Sequence, residues 1–135
     1  RSERDQDLLN AYRRQIALTS GPIRLREVMC RVVNSPSSRF WVSPERAMRV
    51  ISSMEQGNRL EGMMRNKRIM FREIYRRVHL LRERPPYRQL PLVEVVQMVV
   101  EQPAPSFYMT PQSAIVIMHH IRKRRKQCNS SESRS

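Results

Sequence analysis

Apolar residues recur along this chain at spacings of three and four, in six stretches that form two matching sets of three. Leu8, Leu9, Tyr12 and Ile16 predict a first helix over residues 5–18, stopped by Thr19, Ser20, Gly21 and Pro22. Leu25, Val28, Met29, Val32 and Val33 predict a second, with Arg26, Glu27 and Arg31 on its polar face. Its valines favour a strand, yet their spacing is helical rather than alternating. A loop rich in Ser and Pro follows over residues 34–42. Ser43, Pro44 and Glu45 then give a capped helix start, and Ala47, Val50, Ile51 and Met54 make the stripe of a third helix ending near Gly57. The fourth stretch, residues 67–84, carries Phe71, Ile74, Tyr75, Val78 and Leu81. Leu92, Val95, Val96, Val99 and Val100 mark the fifth, and Thr110 and Pro111 open a sixth with Ala114, Ile117, Met118 and Ile121.

The second set copies the first. Val32, Val33, Pro36, Phe40, Trp41, Ser43, Pro44 and Ala47 reappear 67 residues later as Val99, Val100, Pro103, Phe107, Tyr108, Thr110, Pro111 and Ala114. The first helix recurs at an offset of 63. A period of this size marks one supersecondary unit used twice. The expected fold is therefore all-α: an internally duplicated three-helix module of about six helices, packed as one compact bundle and helix-turn-helix-like. The expected layout is a first repeat at 1–57, a connection at 58–66, a second repeat at 67–126 and a disordered polar tail at 127–135. A module of roughly 60 residues buries too little surface to be comfortable alone, so the copies are expected to share a core.

Charge changes the picture from fold to partner. The 135 residues hold 26 Lys and Arg against 12 Asp and Glu, a net charge of +14. An excess of this size on a short chain is the footprint of a polyanion, and Arg forks onto phosphate better than Lys does. No apolar run approaches the ~20 residues of a membrane span, and no signal pattern opens the chain, so no membrane association is expected. Cys30 and Cys128 stand alone, Cys30 on a predicted core face, which fits a reducing cytoplasm rather than a disulfide framework.

Three features could meet nucleic acid. Arg46 and Arg49 lie on the predicted outer side of the third helix, where they would reach phosphates or guanine edges. The link before that helix is about ten residues, against the three or four of a helix-turn-helix, and a plain bundle is the rival reading. Arg59, Arg65, Lys67, Arg68, Arg72, Arg76 and Arg77 run through the connection and fourth helix, and Arg122, Lys123, Arg124, Arg125 and Lys126 close the sixth. Offsetting a helix dipole needs one or two cations, not five that repel one another. The selected contacts are Arg46, Arg49, Arg68, Arg72, Arg76 and the run from Arg122 to Lys126. Trp41 and Tyr108 are candidate stacking platforms, whereas Phe40 and Phe107 read as core plugs. Free amides at the capped helix starts could also hold a phosphate, although such caps are usually filled by their own side chain.

Ile115 and Val116 replace Met48 and Arg49 in the second copy, leaving the sixth helix apolar almost all round and suggesting an interface. His79, His119 and His120 lack partners at metal spacing, only three Gly occur, and no nucleophile has a base nearby; no metal, cofactor or enzyme chemistry is expected.

The repeated Val-Val-x-x-Pro followed by Phe-aromatic-x-Ser/Thr-Pro, over residues 24–54 and 91–121, resembles small uncharacterised basic proteins of bacterial prophages and mobile elements. That resemblance implies a bacterial or phage-encoded setting, in which small basic helical proteins handle DNA or assist an enzyme that does, and it brings no catalytic residue; with the isolated cysteines the expected location is cytoplasmic. The expected function is non-enzymatic nucleic-acid binding, duplex DNA ahead of RNA. The alternative is an accessory subunit of a nucleoprotein complex, a homo-oligomer or protein partner engaged through the last helix, or an RNA-binding helper of an enzyme.

Overall fold

The computed structural model describes residues 2–133, with side chains as far as Gln127. The chain is all-α, as the periodicity predicts. Its elements are α1 (Ser2–Leu18), α2 (Leu25–Val33), α3 (Pro44–Glu55), α4 (Arg65–Arg82), α5 (Leu92–Val100) and α6 (Pro111–Ser133), with a 3-10 turn at Tyr87–Gln89. Among the described residues there is no strand, only an isolated bridge between Ser37 and Ala104.

Contacts divide the chain into two compact units, and their boundaries are not those of the repeats. One unit is Arg1–Ser35 with Met109–Ser135; the other is Pro36–Tyr108. The first therefore builds α1 and α2 together with α6, and the second builds α3 with α4 and α5. Each pair of leading helices receives its third helix from the opposite copy. α2 and α3, the pair read as helix-turn-helix-like, fall in different units.

In the contiguous unit the core mixes both copies. Phe40, Ala47 and Ile51 from copy one pack with Phe71, Ile74, Val78, Val95, Val96, Val99 and Val100 from copy two. The amide of Phe40 donates to the Val100 carbonyl at 3.0 Å. Ser37 and Ala104, which are equivalent under the 67-residue offset, exchange two backbone hydrogen bonds of 3.0 Å. The two proline-rich links thus meet residue on equivalent residue, which satisfies backbone groups that neither helix ladder could serve.

The discontinuous unit repeats this core with smaller groups. Leu8 and Ala11 stand where the other unit has Phe71 and Ile74, and they are buried, as are Val28, Met29, Val32 and Val33 of α2 and Ala114, Met118 and Ile121 of α6, the two helices that α1 packs on. Leu25, expected in the buried stripe, is substantially exposed at the first position of α2. Cys30, expected on the core face, is exposed too; Cys128 lies outside the described side chains.

The third helices begin alike and end differently. Ser43 accepts from the Arg46 amide and Thr110 from the Ser113 amide, both at 3.1 Å. Each hydroxyl thus takes one of the free amides at its helix start. α3 stops at Gly57, which adopts φ +98° while its amide donates to Met54 and that of Asn58 to Ser53. Glycine reaches that left-handed turn without steric cost. The equivalent of Gly57 in α6 is Arg124, and no Gly or Pro follows it. The tail expected to be disordered from Gln127 is accordingly helical to Ser133. Once a helix is nucleated, each added residue costs little, and the basic run consists of good helix formers.

Candidate nucleic-acid interface

Within the contiguous unit, α3 packs on α4, and this brings Arg46 of α3 and Lys67 of α4 to the rim of one depression. Arg46 and Arg49 are exposed on α3, and Arg72 and Arg76 are exposed on α4, with Arg68 half-buried one turn before Arg72. Arg46 lies over the Phe71 ring at 5.8 Å, which holds its guanidinium across the helix pair. Two adjoining depressions follow the connection between α3 and α4. The larger, about 410 Å³, is lined by Arg46, Lys67, Glu61 and Met63 among others; the smaller, about 220 Å³, adds Arg49 and Ser53. Arg46, Asn58, Leu60 and Met63 border both, so they form one groove with Arg46 at its middle.

The floor of that groove is fixed by local chemistry. Leu60 is buried and held at φ +60°, where its amide donates to the Asn58 side chain at 2.9 Å. Asn58 in turn donates to Ser53 at 2.7 Å. A left-handed leucine costs on the order of 1 kcal/mol, and burial of its side chain offsets this.

The remaining cations on α4 are partly spent internally. Arg76 makes a two-pronged contact with Glu73, at 2.9 and 2.7 Å, and Arg77 reaches the same carboxylate at 2.8 Å. The hydrogen bond from Arg76 leads in holding the Glu73 carboxyl below the usual range, against the opposing effect of burial and with help from Arg77. Glu73 also holds the Arg76 guanidinium more firmly protonated. Arg77 further donates to the Pro103 carbonyl at 2.9 Å and lies 5.0 Å from the Phe40 ring, so it braces the link. Among the described residues Arg72 has only a 3.5 Å contact to the Arg59 carbonyl.

The aromatic candidates separate. Phe40 and Phe107 are buried. Trp41 and Tyr108 are half-buried, each with a ring already engaged. Arg39 lies 5.4 Å over Trp41, and Tyr108 stacks on Phe40 at 6.0 Å with a 14° interplanar angle. Burial pushes the Tyr108 phenol up, and the nearby Glu73 charge adds to that, with Arg77 opposing.

In the discontinuous unit, Arg122, Lys123, Arg125 and Lys126 are exposed on α6. Arg124 is not free: it donates to Asp5, a buried carboxylate of α1 that Arg4 also contacts at 3.2 Å. Burial pushes the Asp5 carboxyl up, but the hydrogen bonds from Arg124 and Arg4 outweigh it and hold the group below the usual carboxylate range. Ile115 is half-buried beside Tyr12, Leu25 and Met118, whereas Val116 is 44 % exposed.

In the sequence Lys67 stands in a basic run with nothing that pairs it with Arg46, and Asn58 and Met63 carry no signal beyond their place in the connection at 58–66. The apolar stripe gives the helix that carries Lys67, but only the exchange of third helices puts α3 beside α4. Among the described residues no group of three or more His, Cys, Asp or Glu could hold a metal ion, and no helix is long and apolar enough to cross a membrane. No protein-family model, curated protein or solved structure matches the chain.

Proposed function

We propose that this protein binds nucleic acid without catalysing a reaction, duplex DNA ahead of RNA, and that the groove along the α3–α4 connection carries the main contact. The supporting observation is the composition of that groove: Arg46, Arg49 and Lys67 face solvent there with a single carboxylate, Glu61. Arg72, exposed on α4 and 3.5 Å from the Arg59 carbonyl of the connection, adds a further cation to this unit. Phosphate contacts of this kind fix position rather than sequence, since sequence is read at base edges. The exposed cations of α6, Arg122, Lys123, Arg125 and Lys126, add a second anchoring region, in keeping with the prophage or mobile-element setting that the sequence resemblance implies.

Each neutralised phosphate releases a counterion, so affinity should fall steeply with salt, by a log–log slope near 0.9 per contact on duplex DNA. Binding of labelled duplex DNA, single-stranded DNA and RNA is measured between about 50 and 200 mM salt. The combined Arg46→Ala, Arg49→Ala and Lys67→Ala variant is expected to weaken binding and reduce the slope by about 2–3. No binding to any of the three polymers at low salt, or an unchanged slope in the variant, would overturn the reading. A loss of single-strand binding in Trp41→Ala alone would shift the contact to stacking.

A further inference from the structure

We propose that the pocket between α1 and α6 of the discontinuous unit binds an oligophosphate anion, a di- or triphosphate group, through Arg4, Lys123 and Arg124.

α1 and α6 pack on each other within this unit, and an open pocket of about 470 Å³ lies between them. Arg4 and Asp5 of α1 border it together with Ile117, His120, Lys123 and Arg124 of α6. Spacings of three and four set these four residues on one flank of α6. Arg122 belongs to another flank, where it borders a different pocket with Tyr12 and Leu25.

The centre of the arrangement is Asp5. Its carboxylate is buried, and an ionised carboxylate away from water has to be paired. One cation would neutralise it, yet two are present. Oδ1 accepts from Nη2 of Arg4 at 3.2 Å, and Oδ2 accepts from Nη2 of Arg124. Both guanidiniums are thereby held with donors to spare, because Nη1 of Arg4 and Nε and Nη1 of Arg124 take no part in these bonds. A guanidinium is a planar fork that matches phosphate oxygens. One charge of this pair stays uncompensated by Asp5, and the exposed Lys123 adds another. The wall thus carries three cations against one carboxylate, a surplus of +2.

A ligand with at least two negative charges completes the site. Among the described residues no Phe, Trp or Tyr borders it, so base stacking does not select the ligand. Its volume falls within the roughly 300–1,000 Å³ of small-molecule sites, which admits more than a lone phosphate. A free oligophosphate and a 5′-triphosphorylated strand end both offer this chemistry. The proposal shares Lys123 with the anchoring region described above but does not rest on nucleic-acid binding.

Inorganic tripolyphosphate is titrated into the full chain by calorimetry at about 0.15 M salt, where attraction beyond roughly 8 Å is screened. The expected result is saturable binding of one anion per chain, tighter than that of orthophosphate. Arg4→Gln combined with Lys123→Gln should weaken it at least about tenfold, through loss of two charge-assisted contacts. Arg122→Gln combined with Lys126→Gln removes the same charge from outside the pocket and should weaken it less than about threefold. Lys123→Gln alone leaves both Asp5 contacts in place. It should still weaken tripolyphosphate binding more than the Arg122→Gln, Lys126→Gln pair does, so the test survives if loss of Arg4 disturbs the fold. No saturable binding, several weak equivalents per chain, or equal losses in the two charge-matched variants would overturn the proposal. Displacement of tripolyphosphate more readily by a 5′-triphosphorylated oligonucleotide than by the same strand with a 5′-hydroxyl supports the site with strand ends as its source. Equal displacement by the two strands supports it with the free anion. The titrations of tripolyphosphate contain no nucleic acid, so their failure leaves the reading of the α3–α4 groove untouched.

Discussion

The contiguous and discontinuous units are one design closed in two ways. At the far end of its third helix the contiguous unit has a covalent connection, with Leu60 plugged into the core and Gly57 turning the chain. At the same place the discontinuous unit has a buried carboxylate between two guanidiniums. Core size differs in the same direction. Phe71 and Ile74 are both fully buried, whereas their counterparts are Leu8 and Ala11, and the counterpart of Val78 is the half-buried Gln15. Charge does not differ in this way. The discontinuous unit has thirteen Lys and Arg against five Asp and Glu, and the contiguous unit thirteen against seven, leaving +8 and +6. The repeat thus kept its basic character in both units while one of them kept the larger core.

The sharpest way to break that comparison is to cut the core at equivalent positions. Phe71→Ala removes a fully buried ring and should lower stability by about 3–5 kcal/mol. Leu8→Ala removes less from the smaller core and should fall in the lower part of the 2–5 kcal/mol range for aliphatic truncations. Urea unfolding followed by circular dichroism measures both. A larger loss for Leu8→Ala would reverse the ranking of the cores.

The closure of the discontinuous unit can be tested through pH. Asp5 has a folded pKa below its unfolded value, so its stabilisation is fully present above the unfolded carboxylate range, near pH 4. It is lost as pH falls through the depressed folded value. Asp5→Asn should cost roughly 2 kcal/mol at pH 7, the scale of hydrogen bonds to charged groups, discounted from a fully buried pair because Arg124 is 54 % exposed. The gap between native and variant unfolding midpoints should close as pH drops below about 4. Glu73, also depressed, loses its own contribution in that acid range in both proteins and cancels in the difference. A gap independent of pH would mean that the variant acts by packing rather than charge.

Much of this was legible in the residues, and what was not has one cause. Helical spacing located all six helices despite the valine-rich second and fifth stretches, and Ser43 and Thr110 marked the starts of α3 and α6 where the structure has them. Periodicity, however, says which face of a helix is buried and not against which partner. Ala47 and Ala114 occupy equivalent stripes, and nothing in either stripe says that it will pack on the other copy. The link of about ten residues was the one available signal, because it is too long for two helices that meet in a tight turn. The groove around Arg46 was missed for the same reason: Arg46 and Lys67 belong to different repeats. Composition misled at the end of α6, where a polar, Ser-containing stretch read as disorder although it contains no helix breaker.

The ends of α3 and α6 sharpen the comparison at the smallest energy. Gly57 sits at φ +98°, and a Cβ added there would meet nothing within 4 Å. The cost of Gly57→Ala is therefore conformational alone, about 1–2 kcal/mol for an L-residue in the left-handed region. Asn tolerates that region better, so Gly57→Asn should cost less. Helicity should not rise in either variant, because Leu60, buried three residues on, holds the chain to its turn. The contrast with Arg124 is informative: α6 has no such anchor after the equivalent position, and there the helix simply continues. Denaturant midpoints rank the substitutions, and far-ultraviolet circular dichroism reports helix length. Equal stability of Gly57→Ala and the native chain, accompanied by added helicity, would show that α3 can run on as α6 does and that the stop lies in the glycine alone.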